Sequence, residues 1–226
     1  MNAVFFDLDG TLFDTRRDLA ATVNHTRRDL GLAELPVEDV LVHVGQGANY
    51  LLAHAIPESS DAGGAGKSTR FPAEDVKKIF FSHYGEHMLE TCEPYPGVRR
   101  TLEELKDRGW LLGVNTAKPN FATHAILEHF GFARFFGNAV IAGGDCDEMK
   151  PSAKPLRECA ARMRGHRLTS HDWMVGDSWT DMECARNAGV KGAFCTFGFG
   201  KLKESSYNAK LSRMEELLRF CQAEEG

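Results

Sequence analysis

The sequence predicts an α/β fold: a doubly wound parallel sheet with a helical block inserted after its first strand. Three observations lead there. Short apolar runs alternate with helical patterns from Val98 to the C-terminal region, which is the signature of a parallel sheet covered on both faces. The stretch from Phe13 to Leu89 shows helical periodicity and no clear strand, so it reads as a separate helical unit. Polar clusters follow directly on the predicted strands, where an open α/β sheet places its ligand crevice.

The elements follow in order. Val4-Phe5-Phe6 is a short buried strand. Leu19, Val23 and Leu30 mark a helical stripe over Phe13 to Leu32 that stops at Gly31. Pro36 opens a second helical segment, Gly45-Gln46-Gly47 breaks it, and a helix resumes over Ala48 to Ile56. Ser59 to Thr69 is small, polar and Gly-rich, a loop. Ala73 to Leu89 is a helix through Val76, Ile79, Phe80 and Tyr84. Pro94-Tyr95-Pro96-Gly97 is a stiff boundary. Beyond it come a helix on Val98, Leu102 and Leu105, a strand at Trp110 to Val114, a helix at Phe121 to Phe130 and a strand at Ala139 to Ile141. A helix at Ala153 to Met163, a strand at Trp173 to Val175, a helix at Thr180 to Ala188 and a strand at Gly192 to Thr196 continue the alternation. Leu211, Met214, Leu217, Leu218 and Cys221 suggest a final amphipathic helix. The expected domains are an α/β core over 1–13 and 94–226 and a helical cap over 14–93.

Composition narrows the function. The 226 residues, 42% hydrophobic, suffice for one sizeable core or a core plus a small second domain. A net charge of -5 argues against a nucleic-acid or membrane-surface binder. No apolar run is long enough to span a membrane, and the first residues enter strand and motif without a targeting signal, so a cytoplasmic location is the default. None of the six cysteines forms a CxxC pair, and free thiols of a reducing compartment are expected. The nine histidines show no metal spacing to rival the carboxylates, and His43, His54, His83 and His87 read as surface or packing residues.

The chemistry begins at Asp7-Leu8-Asp9-Gly10-Thr11. Residues two apart leave a strand on one side, so Asp7 and Asp9 converge. Two like charges this close repel unless a cation or a shared proton intervenes. Asn115-Thr116-Ala117-Lys118-Pro119, Gly143-Gly144-Asp145 with Lys150-Pro151, and Gly176-Asp177-Ser178 with Asp181 follow later strands. Together they supply carboxylates for a hard cation such as Mg²⁺, and a hydroxyl, amides and an ammonium for a phosphate. That set describes phosphoryl transfer. Asp177 and Asp181 could instead merely cap a helix. Gly66-Lys67-Ser68 superficially suggests a P-loop, but Asp61 stands where that motif requires glycine.

These motifs, with Asp14-Thr15, Asp18-Leu19-Ala20, Val44-Gly45-Gln46-Gly47, Pro94 to Val98 and Ala188-Gly189, resemble the haloacid dehalogenase superfamily phosphatases with a helical cap, and among them the bacterial phosphoglycolate phosphatases. The resemblance covers about Ala3 to Phe199. It implies a Rossmann-like core, Asp7 as nucleophile forming an aspartyl-phosphate, and Asp9 as general acid and base. It implies phosphate contacts from Thr116, the backbone of Ala117 and Lys150. It implies Mg²⁺ on Asp7, the Asp9 carbonyl and Asp177, with Asp181 near. Ala117 stands where these phosphatases often carry Asn, Ser152-Ala153 lacks their second proline, and Ser59 to Thr69 looks inserted. The implied activity is Mg²⁺-dependent hydrolysis of a small phosphorylated metabolite, 2-phosphoglycolate above others, by a monomer or homodimer, with Arg17 and Gln46 as candidate readers of the substrate carboxylate. A sugar phosphomutase, or a non-catalytic phosphate-binding regulator on the same scaffold, are the alternatives.

Overall fold

Four apolar residues without alternation, Ala3–Phe6, form β1, and all four are fully buried, as a central parallel strand requires. The structure, a computed structural model, describes residues 1–56 and 70–223; the Ser59 to Thr69 stretch and Gly66-Lys67-Ser68 lie outside the described residues. The chain divides into two compact units, Met1–Asp14 with Glu93–Gly226, and Thr15–Cys92.

The first unit holds a six-stranded sheet. β1 pairs in parallel on one side with β4 (Leu111–Pro119) and on the other with β6 (Trp173–Gly176). β5 (Val140–Gly143) lies outside β4, while β7 (Lys191–Cys195) and β8 (Ala209–Leu211) extend beyond β6, giving the order β5-β4-β1-β6-β7-β8. Strand order therefore reverses at β1, a topological switch point, and in such sheets the ligand crevice opens at the carboxyl ends there. Phe6 is level with Val114 and with Val175, so Asp7 emerges between the ends of two neighbouring strands.

Helices α5 (Val98–Asp107), α6 (Asn120–His129), α7 (Ala133–Phe136), α8 (Lys154–Arg162), α9 (Trp179–Ala188) and α10 (Leu217–Gln222) accompany the sheet. α5 buries Val98, Thr101, Leu102 and Leu105, the spacing of one helical face. Leu156, Cys159, Ala160 and Met163 pack with Phe5, Ile141, Met174 and Cys184 in one cluster.

The second unit is helical: α1 (Arg16–Asp29), α2 (Val37–Leu41), α3 (Ala48–Ala55) and α4 (Ala73–His87). α1 packs on α4, with Leu19, Val23, Val76, Phe80 and Tyr84 buried. The Asp18 carboxylate closes the unit: Thr91 donates to it through its backbone N–H at 2.9 Å and its hydroxyl at 2.5 Å, and the Cys92 N–H at 2.9 Å. None of the six cysteines is in a disulfide, and among the described residues no helix is long and apolar enough to cross a membrane.

Three expectations need correction. Phe13–Asp14 is not helical; it is strand β2, antiparallel to β3 (Glu93–Pro94). The strand expected to end at Val114 continues to Pro119, with a register shift between Asn115 and Pro119. Leu211 belongs to β8, not to the final helix, which follows a 3-10 turn at Met214–Glu216. Two-residue and three-residue strands are too short for periodicity to reveal them. The spacing of Leu211 from Met214 and Leu218 mimics a helical stripe.

Candidate active site

Backbone geometry sets the site before any side chain does. The Asp7 N–H donates to the Val175 carbonyl at 2.9 Å, which continues the β1–β6 ladder and fixes the nucleophile candidate beside the end of β6. The chain then turns within three residues, the Gly10 N–H bonding back to the Phe13 carbonyl at 2.9 Å. Gly10 has φ +77°, and a Cβ there would lie 2.0 Å from Asp177 Oδ2. Only glycine allows the turn to pass so close to that carboxylate.

Asp7, Asp177 and Asp181 are all buried, and one carboxylate oxygen of each lies within 4.8 Å of the others. Lys150 reaches into this group, its Nζ 2.9 Å from Asp7 Oδ1 and 2.6 Å from Asp181 Oδ1. Asp181 Oδ2 also accepts from the Ser178 N–H at 3.0 Å and the Ser178 hydroxyl at 2.6 Å. Helix capping and membership of the site are thus one arrangement for Asp181, a capping box whose acid also meets Lys150. Gly176 makes room for it, because a Cβ there would lie 2.2 Å from Asp181 Cγ. Asp177 Oδ2 accepts from the N–H groups of Phe199 at 2.9 Å and Gly200 at 2.7 Å.

The charges are unbalanced. Burial pushes the Asp7 carboxyl up to about 6, against the pull of Lys150 and of the Thr116 hydroxyl, while Asp181 and Asp9 add to the rise. Burial, and after it the charges of Asp181 and Asp7, carry Asp177 well above the usual carboxylate range despite its two backbone donors. Burial opposes the Lys150 ammonium, but Asp181 and Asp7 outweigh it and raise its pKa. Three buried carboxylates against one ammonium leave room for more positive charge, and the donors are all hard oxygens. That fits a divalent cation of the Mg²⁺ kind.

Of the other predicted residues, Thr116 and Asp9 interact with Asp7. Thr116, buried in β4, hydrogen-bonds Asp7. Ala117 follows in the same strand, also buried. Asp9 is half-buried and receives Lys118 Nζ at 2.8 Å. Lys118 was not among the expected site residues. Its signal was available: Thr116 and Lys118 stand two apart in an extended strand and therefore share a face. Arg17, exposed on α1, and Gln46, half-buried before α3, belong to the helical unit. Burial pushes the nearby Cys184 thiol up to about 12, away from the thiolate form that reacts.

The family model for haloacid dehalogenase-like hydrolases matches residues 4–195. Among curated proteins, the phosphoglycolate phosphatase of Agrobacterium fabrum is 35% identical over 197 residues, covering 86% of this chain and 80% of that one. The phosphoglycolate phosphatase of Aquifex aeolicus is 30% identical, covering 97% and 96%. A crystal structure described as a predicted phosphoglycolate phosphatase from Haemophilus somnus superposes with a TM-score of 0.85 at 28% identity, covering 97% of both chains. Matched by that model over most of its length, and by relatives at this identity and coverage, the chain belongs to the haloacid dehalogenase-like hydrolase family.

Proposed function

We propose that this hydrolase is a Mg²⁺-dependent phosphatase that cleaves a small phosphate monoester, 2-phosphoglycolate above others, through an aspartyl-phosphate. The observation that carries the reading is the buried group of Asp7, Asp177 and Asp181 around Lys150. The substrate choice rests on the relatives of 30–35% identity that carry the name phosphoglycolate phosphatase.

In this reading an Asp7 oxygen attacks phosphorus, a new P–O bond forms, and the bond to the leaving alkoxide breaks. Asp9 gives its proton to that alkoxide, which departs as glycolate. Asp9, now a carboxylate, takes a proton from water. The water oxygen attacks the phosphorus of the aspartyl-phosphate, inorganic phosphate leaves and Asp7 is regenerated. Lys118, 2.8 Å from Asp9, holds that carboxyl in place between the two steps. Thr116, the Ala117 N–H and Lys150 hold the phosphoryl oxygens, and Lys150 also keeps Asp7 oriented. Asp7, Asp177 and the Asp9 carbonyl would hold Mg²⁺, with Asp181 beside them; when bound, the cation supplies positive charge against the transferring phosphoryl group.

The test is a panel of phosphate monoesters assayed for released inorganic phosphate with Mg²⁺ and with chelator. The reading expects 2-phosphoglycolate to give the highest kcat/KM and chelator to abolish release. Transfer of phosphate between sugar hydroxyls without release would favour the mutase reading, and release unchanged in verified metal-free buffer would refute the Mg²⁺ requirement.

A further inference from the structure

The helical unit carries a second cluster of potential ligands that the chemistry above does not use. His83 and His87 stand four apart near the end of α4, on one face, and α1 brings His25 against them. The His25 ring centroid lies 5.4 Å from that of His83 and 4.8 Å from that of His87, edge to face in both cases. Ligand nitrogens of all three lie within 4.8 Å of one another. Two of the rings are held by carboxylates: His83 Nε2 is 2.8 Å from Asp29 Oδ2, and His87 Nδ1 is 2.6 Å from Glu90 Oε1. Each of these imidazoles has a second nitrogen, that of His87 lying 3.9 Å from Glu86 Oε2. A histidine whose other nitrogen is fixed by a carboxylate is the usual form of a metal-bound imidazole. All three rings are partly buried, so solvent still reaches them. His83-Tyr84-Gly85-Glu86-His87 also has the His-x-x-Glu-His order of an inverted zinc-binding helix.

We propose that His25, His83 and His87 bind one divalent transition-metal ion, Zn²⁺, bridging α1 and α4. Three imidazoles leave a fourth position for water in a tetrahedral set. Nitrogen donors separate this site from the all-oxygen set of Asp7, Asp177 and Asp181, because imidazole suits Zn²⁺ and carboxylate suits Mg²⁺. Burial, with the neighbouring charges of His87, Arg28 and His83, lowers the pKa of His25, which favours the neutral ring that coordination needs. The inference concerns the helical unit alone and does not depend on the phosphatase reading.

The experiment is zinc titration of the demetallated full chain in excess Mg²⁺, by competition with a chromophoric chelator, with metal content measured after desalting. The parent protein should bind one more zinc per chain than His87→Gln or His25→Gln, and Asp177→Asn should keep that ion. Asp29→Asn, which retains all three ligands, should weaken binding about ten- to a hundredfold. Co²⁺ substitution should give visible d–d bands in the parent that vanish in the histidine variants. Circular dichroism of each variant checks folding, and if either histidine variant fails to fold, Asp29→Asn and the remaining histidine variant decide. No zinc bound by the parent, or equal zinc in parent and histidine variants, would overturn the proposal.

Discussion

Replacing Lys150 with Met would take one ammonium from the middle of three buried carboxylates. Its side chain is 2% exposed and its Nζ touches both Asp7 and Asp181. Removing one partner of a buried ion pair costs about 3–5 kcal/mol, because the charge left behind has neither water nor partner. In a chain of this size each kcal/mol moves Tm by about 2–4 °C, so Tm should fall by about 6–20 °C. The loss should depend on pH. Burial pushes the Asp7 carboxyl up to about 6 from the ordinary carboxylate range, so the folded state binds the extra proton and stability falls as pH climbs from about 4 to 6. Without Lys150 the Asp7 carboxyl rises further. The deficit should therefore be small near pH 4, where Asp7 is protonated, and full near pH 8. Millimolar Mg²⁺ should restore part of it at pH 8 by mass action. Thermal and urea unfolding of parent and variant at both pH values, with and without Mg²⁺, measure all of this. A deficit below about 1 kcal/mol at pH 8, or one equal at both pH values, would refute the electrostatic account.

Asp7→Asn should keep the fold and abolish phosphate release, checked by single-turnover assay alongside circular dichroism; turnover near the parent level would exclude Asp7 as nucleophile. Gly10→Ala places a Cβ 2.0 Å from Asp177 Oδ2 at φ +77°, and should weaken the Mg²⁺ dependence of activity toward higher concentrations, read from a Mg²⁺ titration. Arg17→Ala and Gln46→Ala should cost 2-phosphoglycolate about ten- to a hundredfold more in kcat/KM than p-nitrophenyl phosphate, the worth of one charge-assisted hydrogen bond. Equal losses on both substrates would mean that neither residue reads the carboxylate.

The carboxylates were legible in the sequence because they follow directly on buried strand runs, Asp7 and Asp9 with the strand period of two. Asp7 and Asp9 leave a buried run together, and Asp177 and Asp181 open a helix after another. Lys118 was legible by the same rule but lay beyond the expected strand end at Val114, so its period-two partnership with Thr116 went unread. His25 could not be found that way, since it stands 58 residues from His83 and only the packing of α1 on α4 joins them. The spacing of His83 and His87, four apart on one helix, was the local signal. The β2–β3 ribbon is two residues long on each side, and no pattern of hydrophobicity specifies a pair that short. Its cause is topological: the chain leaves β1 and returns beside itself after the inserted unit.

That return bears on how the protein folds. β2 and β3 can pair only if the roughly 80 residues between them bring their ends together, and each doubling of a loop costs about 0.6 kcal/mol of closure entropy. Asp18, bonded to Thr91 and Cys92, does that closing within the helical unit. A folded insertion presents its two ends a few residues apart, so the effective loop shrinks by about four doublings and roughly 2.4 kcal/mol of closure entropy is removed from the assembly of β1 with β4. An insertion that folded first would thus serve as a splint that lets a distant sequence act as a local one. Asp18→Ala should accordingly slow refolding of the sheet, followed by Trp110 and Trp173 fluorescence, by far more than it speeds unfolding. An unchanged refolding rate would show that the sheet assembles without waiting for the helices.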